Sequence, residues 1–173
     1  MIQRRLLFFP IFISASLFFF GCNQTTAPTD PSASMPDGSM SATIDGSYWQ
    51  STSIPLISGG AAAIRKVSAG TISIGGTKIL STSDAQVLTV NLSRYGTGTD
   101  TLGISNQGTY SIGKQQDQTW VSVGLNTGTV NVTKYDTLNK LISGTFNFTA
   151  TNSTLTTKTV SSGVFKNVTW KDQ

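Results

Sequence analysis

The sequence predicts an all-β fold, either an antiparallel β-sandwich or a partly closed β-barrel built from hairpins, after an N-terminal signal and a disordered tether. Three observations indicate this class. Apolar and polar residues alternate with period two through most of residues 40–173, and glycine, threonine, serine and asparagine separate the alternating segments. No segment repeats with a helical period. The predicted organisation is a signal over residues 1–21, a lipidated cysteine and tether over 22–39, and one domain over 40–173.

The first 21 residues have the pattern of a targeting peptide. Arg4 and Arg5 provide a positive start, and an apolar run follows from Leu6 to Phe20. A membrane-spanning helix needs about 20 apolar residues, so this shorter run favours a cleaved signal. The run stops at Gly21 and Cys22, and Cys22 is the only cysteine of the chain.

The end of this segment resembles the signal of bacterial lipoproteins, in which the cysteine sulfur receives a diacylglycerol and the chain is cut just before it. Gly21 and Cys22 match that pattern, so the resemblance implies cleavage between them and a lipid on Cys22. The membrane is then the expected partner. The expected location is the bacterial cell envelope, at the outer membrane facing the periplasm, with exposure at the cell surface as the alternative.

Residues 22–39 contain three prolines and almost no bulky apolar side chain, which predicts a flexible tether. Loss of the signal removes Arg4 and Arg5, so the formal net charge falls from +4 to +2. Nucleic-acid binding would need basic residues clustered on one face, and Arg65-Lys66 is the only adjacent basic pair of the mature chain. No nucleic-acid partner is expected.

The first hairpin is predicted at Asp45-Gly46, a dipeptide typical of tight turns between strands, and the pairing places Ala42 opposite Trp49. Five further strands are predicted from alternation, over residues 70–80, 86–94, 108–113, 119–125 and 163–170.

A longer hairpin is predicted over residues 128–150, with its loop from Asp136 to Lys140. Burial of the apolar side chains on one face sets the register, and Gly144 is predicted to mark a bulge or a close backbone approach. The predicted pairs are Val130 with Phe146, Val132 with Gly144, Lys134 with Ile142, and Tyr135 with Leu141.

Four stretches carry a resemblance, namely MSATIDGSYW at residues 40–49, GTYSIG at residues 108–113, GTVNVTKYDTLNKLISGTFNFTA at residues 128–150 and GVFKNV at residues 163–168. Together they resemble a family of small Bacteroidetes lipoproteins whose domain has no known function. The resemblance implies lipidation and an all-β fold. It implies no catalytic residue.

The residues needed for most enzyme chemistry are missing. The chain has no histidine and no glutamate, and its eight aspartates fall in predicted turns or at the termini. Without histidine, a serine nucleophile lacks its usual base and zinc lacks its usual ligand. The expected function is therefore a non-catalytic binding or envelope-structural role, with no catalytic residue, no cofactor and no metal.

Four tyrosines are the candidate ligand contacts, namely Tyr48, Tyr95, Tyr110 and Tyr135. They raise the alternative of a carbohydrate-binding β-sandwich module at the cell surface, whose partner is a glycan; an envelope protein is the other candidate partner. Trp49 and Trp120 alternate with polar neighbours and are expected in the core. A second alternative is a lipocalin-like barrel that holds an apolar ligand.

Two short motifs are candidate modification sites. Asp100-Thr101-Leu102 and Asp136-Thr137-Leu138 resemble the Asp-Thr-aliphatic signal for O-glycosylation in Bacteroidetes, which implies Thr101 and Thr137 as acceptors. Both motifs are expected in loops, where a transferase could reach them, although turn formation is the competing interpretation.

Overall fold

The computed structural model describes residues 34–55, 59–82, 84–113 and 116–173. The predicted signal, Gly21, Cys22 and most of the predicted tether lie outside these residues. Eleven strands and two short 3-10 helices, at Val67–Ala69 and Gln116–Gln118, make up the described chain. The strands are β1 (Ser39–Ile44), β2 (Ser47–Gln50), β3 (Ala61–Lys66), β4 (Thr71–Ile79), β5 (Ala85–Leu92), β6 (Gly98–Leu102), β7 (Gln107–Ile112), β8 (Thr119–Val121), β9 (Gly128–Asp136), β10 (Leu141–Thr151) and β11 (Thr157–Asp172).

All eleven strands belong to one sheet, in the order β2-β1-β11-β3-β4-β5-β7-β8-β10-β9-β6. A further pairing of β10 with β11 closes the middle of this sheet into a ring of seven strands. Strands β1 and β2 add to the ring beside β11, and strands β9 and β6 add to it beside β10. The all-β prediction is confirmed, and the closed ring agrees with the barrel alternative rather than with two separate stacked sheets.

Strand β11 organises the ring because it is paired along both edges. One edge pairs with β10, whereas the other pairs first with β1 and then with β3. The pairing of β11 with β3 is parallel, so the sheet is mixed. This one parallel pairing was not predicted, since a parallel neighbour distant in sequence has no hairpin turn to signal it.

The first hairpin forms as predicted. Ala42 pairs with Trp49, and the turn residues Asp45 and Gly46 both have positive φ, at 47° and 81°. Two successive residues with positive φ define the tight turn that suits the twist of paired strands. Asp45 also accepts a hydrogen bond from the backbone of Thr159 at 2.9 Å, which joins the turn to the start of β11.

The register of the long hairpin is correct in one half and wrong in the other. Val130 pairs with Phe146 and Val132 with Gly144, as predicted. Nearer the turn, Tyr135 pairs with Ile142 and not Leu141, and Lys134 pairs with Ser143 and not Ile142. The shift falls between Ser143 and Gly144 because a bulge on β9 adds one residue there. A Cβ at Gly144 would lie 2.3 Å from the Asn131 carbonyl oxygen, so the predicted close approach is real.

Several element bounds differ from the prediction. Strands β3 and β6 were not predicted, β8 ends at Val121 instead of residue 125, and β11 begins at Thr157 instead of residue 163. Ordered packing also begins within the predicted tether. Met35 is buried, and its carbonyl oxygen accepts a hydrogen bond from Lys166 at 2.7 Å.

The interior of the ring is packed with side chains. They are contributed by nearly every strand and include Met40, Trp49, Ile74, Leu88, Val90, Phe146, Phe148, Phe165 and Trp170. Trp49 and Trp120 lie in this core as predicted. Across the described residues the core side chains occupy the space in which a lipocalin-like barrel would hold its ligand. The clefts described below lie on the outer surface.

Candidate binding cleft

A cleft of about 560 Å³ lies on the outer face of β10, β11 and β3. Its apolar floor comes from Ala62, Ile64 and Leu141, and Asp37 and Gly38 form one wall. Asn167, Thr169 and Lys171 supply polar groups along the edge of β11. We call this the β11 cleft. Its volume lies within the usual range of small-ligand sites, and it combines apolar surface with a few polar groups as such sites do.

The cleft exists because β11 changes partner along one edge. Lys166 pairs with Ser39 of β1, whereas Trp170 pairs with Ala63 of β3. The starts of β1 and β3 stay in contact, since the Ala61 backbone amide donates to the Gly38 carbonyl oxygen at 2.9 Å. The β11 cleft opens on the outer surface at this change of partner.

Asn167 occupies the apex of this opening in a conformation uncommon for residues other than glycine, with φ of 43°. Its Nδ2 donates to the Asp37 carboxylate at 2.9 Å, and its Oδ1 accepts from Lys134 Nζ at 3.1 Å. Its backbone amide donates to Ser143 Oγ at 2.8 Å. β11 has a bulge here, because Val168 pairs with Ile142 and Phe165 with Gly144, and the contacts of Asn167 hold this bulge in place.

A second cleft, of about 350 Å³, adjoins the first and shares Asn167 with it. Lys134 and Lys166 line this second cleft, and Lys171 lines the first. Lys166 lies 3.8 Å from the Asp37 carboxylate. Lys134 and Lys171 are exposed, and neither has an ion-pair partner among the described residues. The rim of the paired clefts is consequently positive.

An arginine closes the nearby end of the ring, where β3 and β11 end. The Arg65 guanidinium carbon lies 4.4 Å from the Trp170 ring centre and 5.3 Å from that of Tyr95. Its Nη1 donates to the Tyr135 hydroxyl at 3.2 Å, and its Nε contacts the Asp172 carboxylate at 2.5 Å. We call this the Arg65 end. Alternation along β3 puts Ala61, Ala63 and Arg65 on the same inward face, so the guanidinium covers the core.

The charges at the Arg65 end stabilise one another. The hydrogen bond from Arg65 holds the pKa of the Asp172 carboxyl below its usual value, and Lys140, 3.6 Å away, acts in the same direction. In return, Asp172 and then the Tyr135 hydroxyl raise the pKa of Arg65. Both groups therefore stay charged near neutral pH.

The four candidate tyrosines do not form a common site. Tyr110 is buried and stacks on Trp120, so its assignment as a ligand contact is wrong. Tyr48 is 64% exposed and stands on an outer strand. Tyr95 and Tyr135 lie together, but their rings are stacked on each other at 6.5 Å and belong to the Arg65 end. The faces of these two rings therefore already contact other side chains of the protein.

The two candidate glycosylation sites differ in setting. Thr137 is exposed in the turn between β9 and β10, as predicted. Thr101 lies within β6 and pairs with Thr129, so the prediction of a loop there is wrong. The Asp136 side chain stabilises the turn that contains Thr137, because its Oδ1 accepts hydrogen bonds from the Leu138 and Asn139 backbone amides at 3.0 and 2.8 Å.

The described chain offers no metal cluster and no spanning helix. No group of three histidine, cysteine, aspartate or glutamate side chains is close enough there to hold a metal ion. Within the same residues, no helix has the length and apolar character needed to cross a membrane.

Sequence reasoning missed Asn167 and Arg65. Alternation of Ala61, Ala63 and Arg65 could have indicated an inward arginine, whereas the positive φ of Asn167 left no signal beyond its residue type.

Comparison with known proteins gave one match. A family model described as a domain of unknown function, DUF6252, matches residues 37–169. No curated protein and no solved structure matches the chain.

Proposed function

We propose, from the premise that the chain belongs to the DUF6252 family of domains of unknown function, that it is a membrane-anchored bacterial lipoprotein with a non-catalytic binding role. The β11 cleft carries this proposal. It is the described concavity that combines a volume of about 560 Å³ with an apolar floor and a polar rim.

The absence of histidine and glutamate from the sequence supports a binding role over catalysis. The aspartates around the cleft are also committed to other contacts. Asp37 accepts from Asn167, and Asp172 is paired with Arg65 and Lys140. A general base needs a carboxylate that is free to take a proton from a substrate, and these two serve as acceptors within the protein.

The anchor in this proposal is a diacylglycerol on Cys22, with cleavage after Gly21. The support is the sequence, where an apolar run ends at the only cysteine. A lipid anchor would keep the domain in the bacterial envelope. We place it at the outer membrane facing the periplasm, with the cell surface as the alternative. An origin in Bacteroidetes follows from the resemblance described above.

Occlusion of the cleft tests the binding role. Ile64→Trp adds bulk to the cleft floor, and Ile79→Trp is a matched control because both isoleucines are 45% exposed on strands. Both proteins would be screened by calorimetry against peptidoglycan fragments and envelope polysaccharides. Binding that is lost only in Ile64→Trp supports the β11 cleft as the site. Equal binding by both variants, or none by the parent protein, contradicts it.

Mass spectrometry of the protein from a bacterial host tests the anchor. We expect the mature chain to begin at Cys22 and to carry the mass of acyl groups. The Cys22→Ala variant should lose this mass and leave the membrane fraction. A chain that keeps residues 1–21, or an unmodified Cys22 in the membrane fraction, contradicts the anchor and leaves the cleft experiment unaffected.

The same spectra address O-glycosylation. We propose Thr137 as an acceptor because it is exposed in a turn, whereas backbone pairing within β6 makes Thr101 the poorer substrate. A hexose-containing adduct on Thr137 that disappears in Thr137→Ala supports the proposal. An unmodified Thr137 in a host with an active transferase contradicts it.

A further inference from the structure

The charged side chains of the described domain are unevenly distributed. Lysines surround the two clefts and the neighbouring turn, whereas the described residues at the opposite end of the ring include three aspartates and two lysines. We call the first region the lysine face and the second the Asp45 end. The lysine face carries Lys134, Lys140, Lys166 and Lys171, and the Asp45 end carries Asp45, Asp84 and Asp117 with Lys78 and Lys158.

The acidic groups near the lysine face leave it positive. Asp172 is shared by Arg65 and Lys140, and Asp37 accepts from the Asn167 amide 3.8 Å from Lys166. Asp136 is bound by amides of its own turn. Lys134 and Lys171 therefore project positive charge without an ion pair to any acidic group among the described residues.

We propose that the lysine face docks on an anionic lipid surface, with phosphate-bearing headgroups at the mouths of the two clefts. Lysine ammonium groups bind phosphate oxygens through charge-assisted hydrogen bonds. The partly exposed Ile64 and Leu141 provide an apolar floor that suits the glycerol part of a headgroup. Each lysine brought near an anionic membrane strengthens binding about fivefold, so a few exposed lysines give weak docking.

The path of the chain supports a lipid surface as the occupant. This argument rests on the proposed function, since it uses an anchor at Cys22. The described chain begins at Ser34, and Met35 is held by Lys166 of the lysine face. The twelve residues from Cys22 to Ala33 reach at most about 40 Å when extended. The anchor therefore delivers the lysine face to the bilayer at a high effective concentration, at which weak docking is sufficient.

Docking would orient the domain. With the lysine face on the bilayer, the Asp45 end points away from it, because these regions lie at opposite ends of the strands.

The test uses the full acylated chain reconstituted into vesicles with a fluorophore on one introduced cysteine. Ile64→Cys places the probe on the lysine face, and Ser153→Cys places it in the exposed turn at the Asp45 end. Vesicles contain either phosphatidylcholine alone or phosphatidylcholine with phosphatidylglycerol, and a headgroup-linked quencher reports contact. We expect quenching at position 64 only with phosphatidylglycerol and only at low salt, because salt screens exposed charges.

Charge variants sharpen the result. Lys134→Gln combined with Lys171→Gln should weaken docking by on the order of tenfold to thirtyfold. Lys78→Gln is the control at the opposite end and should have no effect. We avoid Arg65 and Lys140 because both contact Trp170 and their loss could alter folding.

Four results would overturn the docking proposal. They are equal quenching at both positions, quenching that does not depend on phosphatidylglycerol, an unchanged double variant, and a response of position 64 to an acidic polysaccharide but not to vesicles. The anchor is checked separately by the acyl mass on Cys22. A chain that lacks the acyl mass but floats with anionic vesicles would contradict the anchor and keep the docking.

Discussion

At the Arg65 end of the ring, one guanidinium lies over two aromatic rings and bonds to a third, using segments far apart in sequence. At the Asp45 end, Lys158 pairs with the turn carboxylate of Asp45 and lies 5.3 Å from the Trp120 ring centre. Trp120 itself donates to Thr156 Oγ1 at 3.0 Å. Both ends join distant parts of the chain, since Arg65 and Asp172 are 107 residues apart and Asp45 and Lys158 are 113 residues apart. The comparison teaches that the two ends differ in what one cation contacts: Arg65 reaches three aromatic side chains and a carboxylate, whereas Lys158 reaches one aromatic ring and a carboxylate.

The largest expected effect is a difference in the free energy of unfolding between a variant of Trp170 and a variant of Trp120. Trp170→Ala should lower the free energy of unfolding by about 3–5 kcal/mol, because it removes a buried ring that stacks on Tyr135 at 5.6 Å. Trp120→Ala should cost less, since Trp120 is more exposed and lies at the ring's edge. Urea unfolding of both variants measures the difference. A larger loss for Trp120→Ala would contradict the comparison.

A smaller effect is expected from the cations that cover these rings. Arg65→Met should lower the melting temperature more than Lys158→Met, because Arg65 contacts two rings, a hydroxyl and a carboxylate, whereas Lys158 contacts one ring and one carboxylate. Methionine keeps part of the apolar stem in each case. Thermal melts followed by circular dichroism provide the measurement. Equal shifts would show that the guanidinium adds nothing beyond its stem.

Acid should weaken both ends. Arg65 lowers the pKa of Asp172, and Lys158, followed by the Thr159 amide, lowers that of Asp45. A lowered folded-state pKa adds stability that is present above the unfolded value, about 3.9, and is lost as pH falls through the folded value. Asp172→Asn and Asp45→Asn should each flatten the fall in melting temperature below about pH 4. An unchanged acid limb in both variants would contradict the role of these carboxylates.

The smallest effect is expected at Tyr48, which is not one of the aromatic side chains that Arg65 and Lys158 contact. Tyr48→Ala removes a side chain that is 64% exposed and bonds only to Gln50 among the described residues, at 2.8 Å. Surface changes of this kind usually fall within about 0.5 kcal/mol. The measurement is the urea midpoint at constant slope. A loss several times larger would show that this outer strand matters to the ring.

Local features of the fold could be predicted from the sequence, and distant ones could not. Asp45-Gly46 specified its turn and the Ala42 to Trp49 register because hairpin geometry is set by a few adjacent residues. The bulge on β9 was placed only through Gly144, since its extra residue has no distinctive type. Thr101 was assigned to a loop, whereas it lies exposed within β6, next to the buried Leu102.

The candidate site was harder to predict than the fold. The β11 cleft depends on where a strand changes partner, and the parallel pairing of Trp170 with Ala63 joins segments about a hundred residues apart. Tyr110 was misplaced because a tyrosine in an alternating segment can face the core or water equally well. The absence of histidine and glutamate, by contrast, is evident from the sequence alone and limits the chemistry of any site.

The position of β11 also sets the order of assembly. It is the last strand of the domain, and β1, β3 and β10 all hydrogen-bond to it. During synthesis or translocation, strands near the start of the domain must wait for residues more than a hundred positions later before the ring can close. Such distant pairing makes folding slow, because the chain entropy of loop closure is lost before contacts form. The ring should therefore close only after β11 has been made.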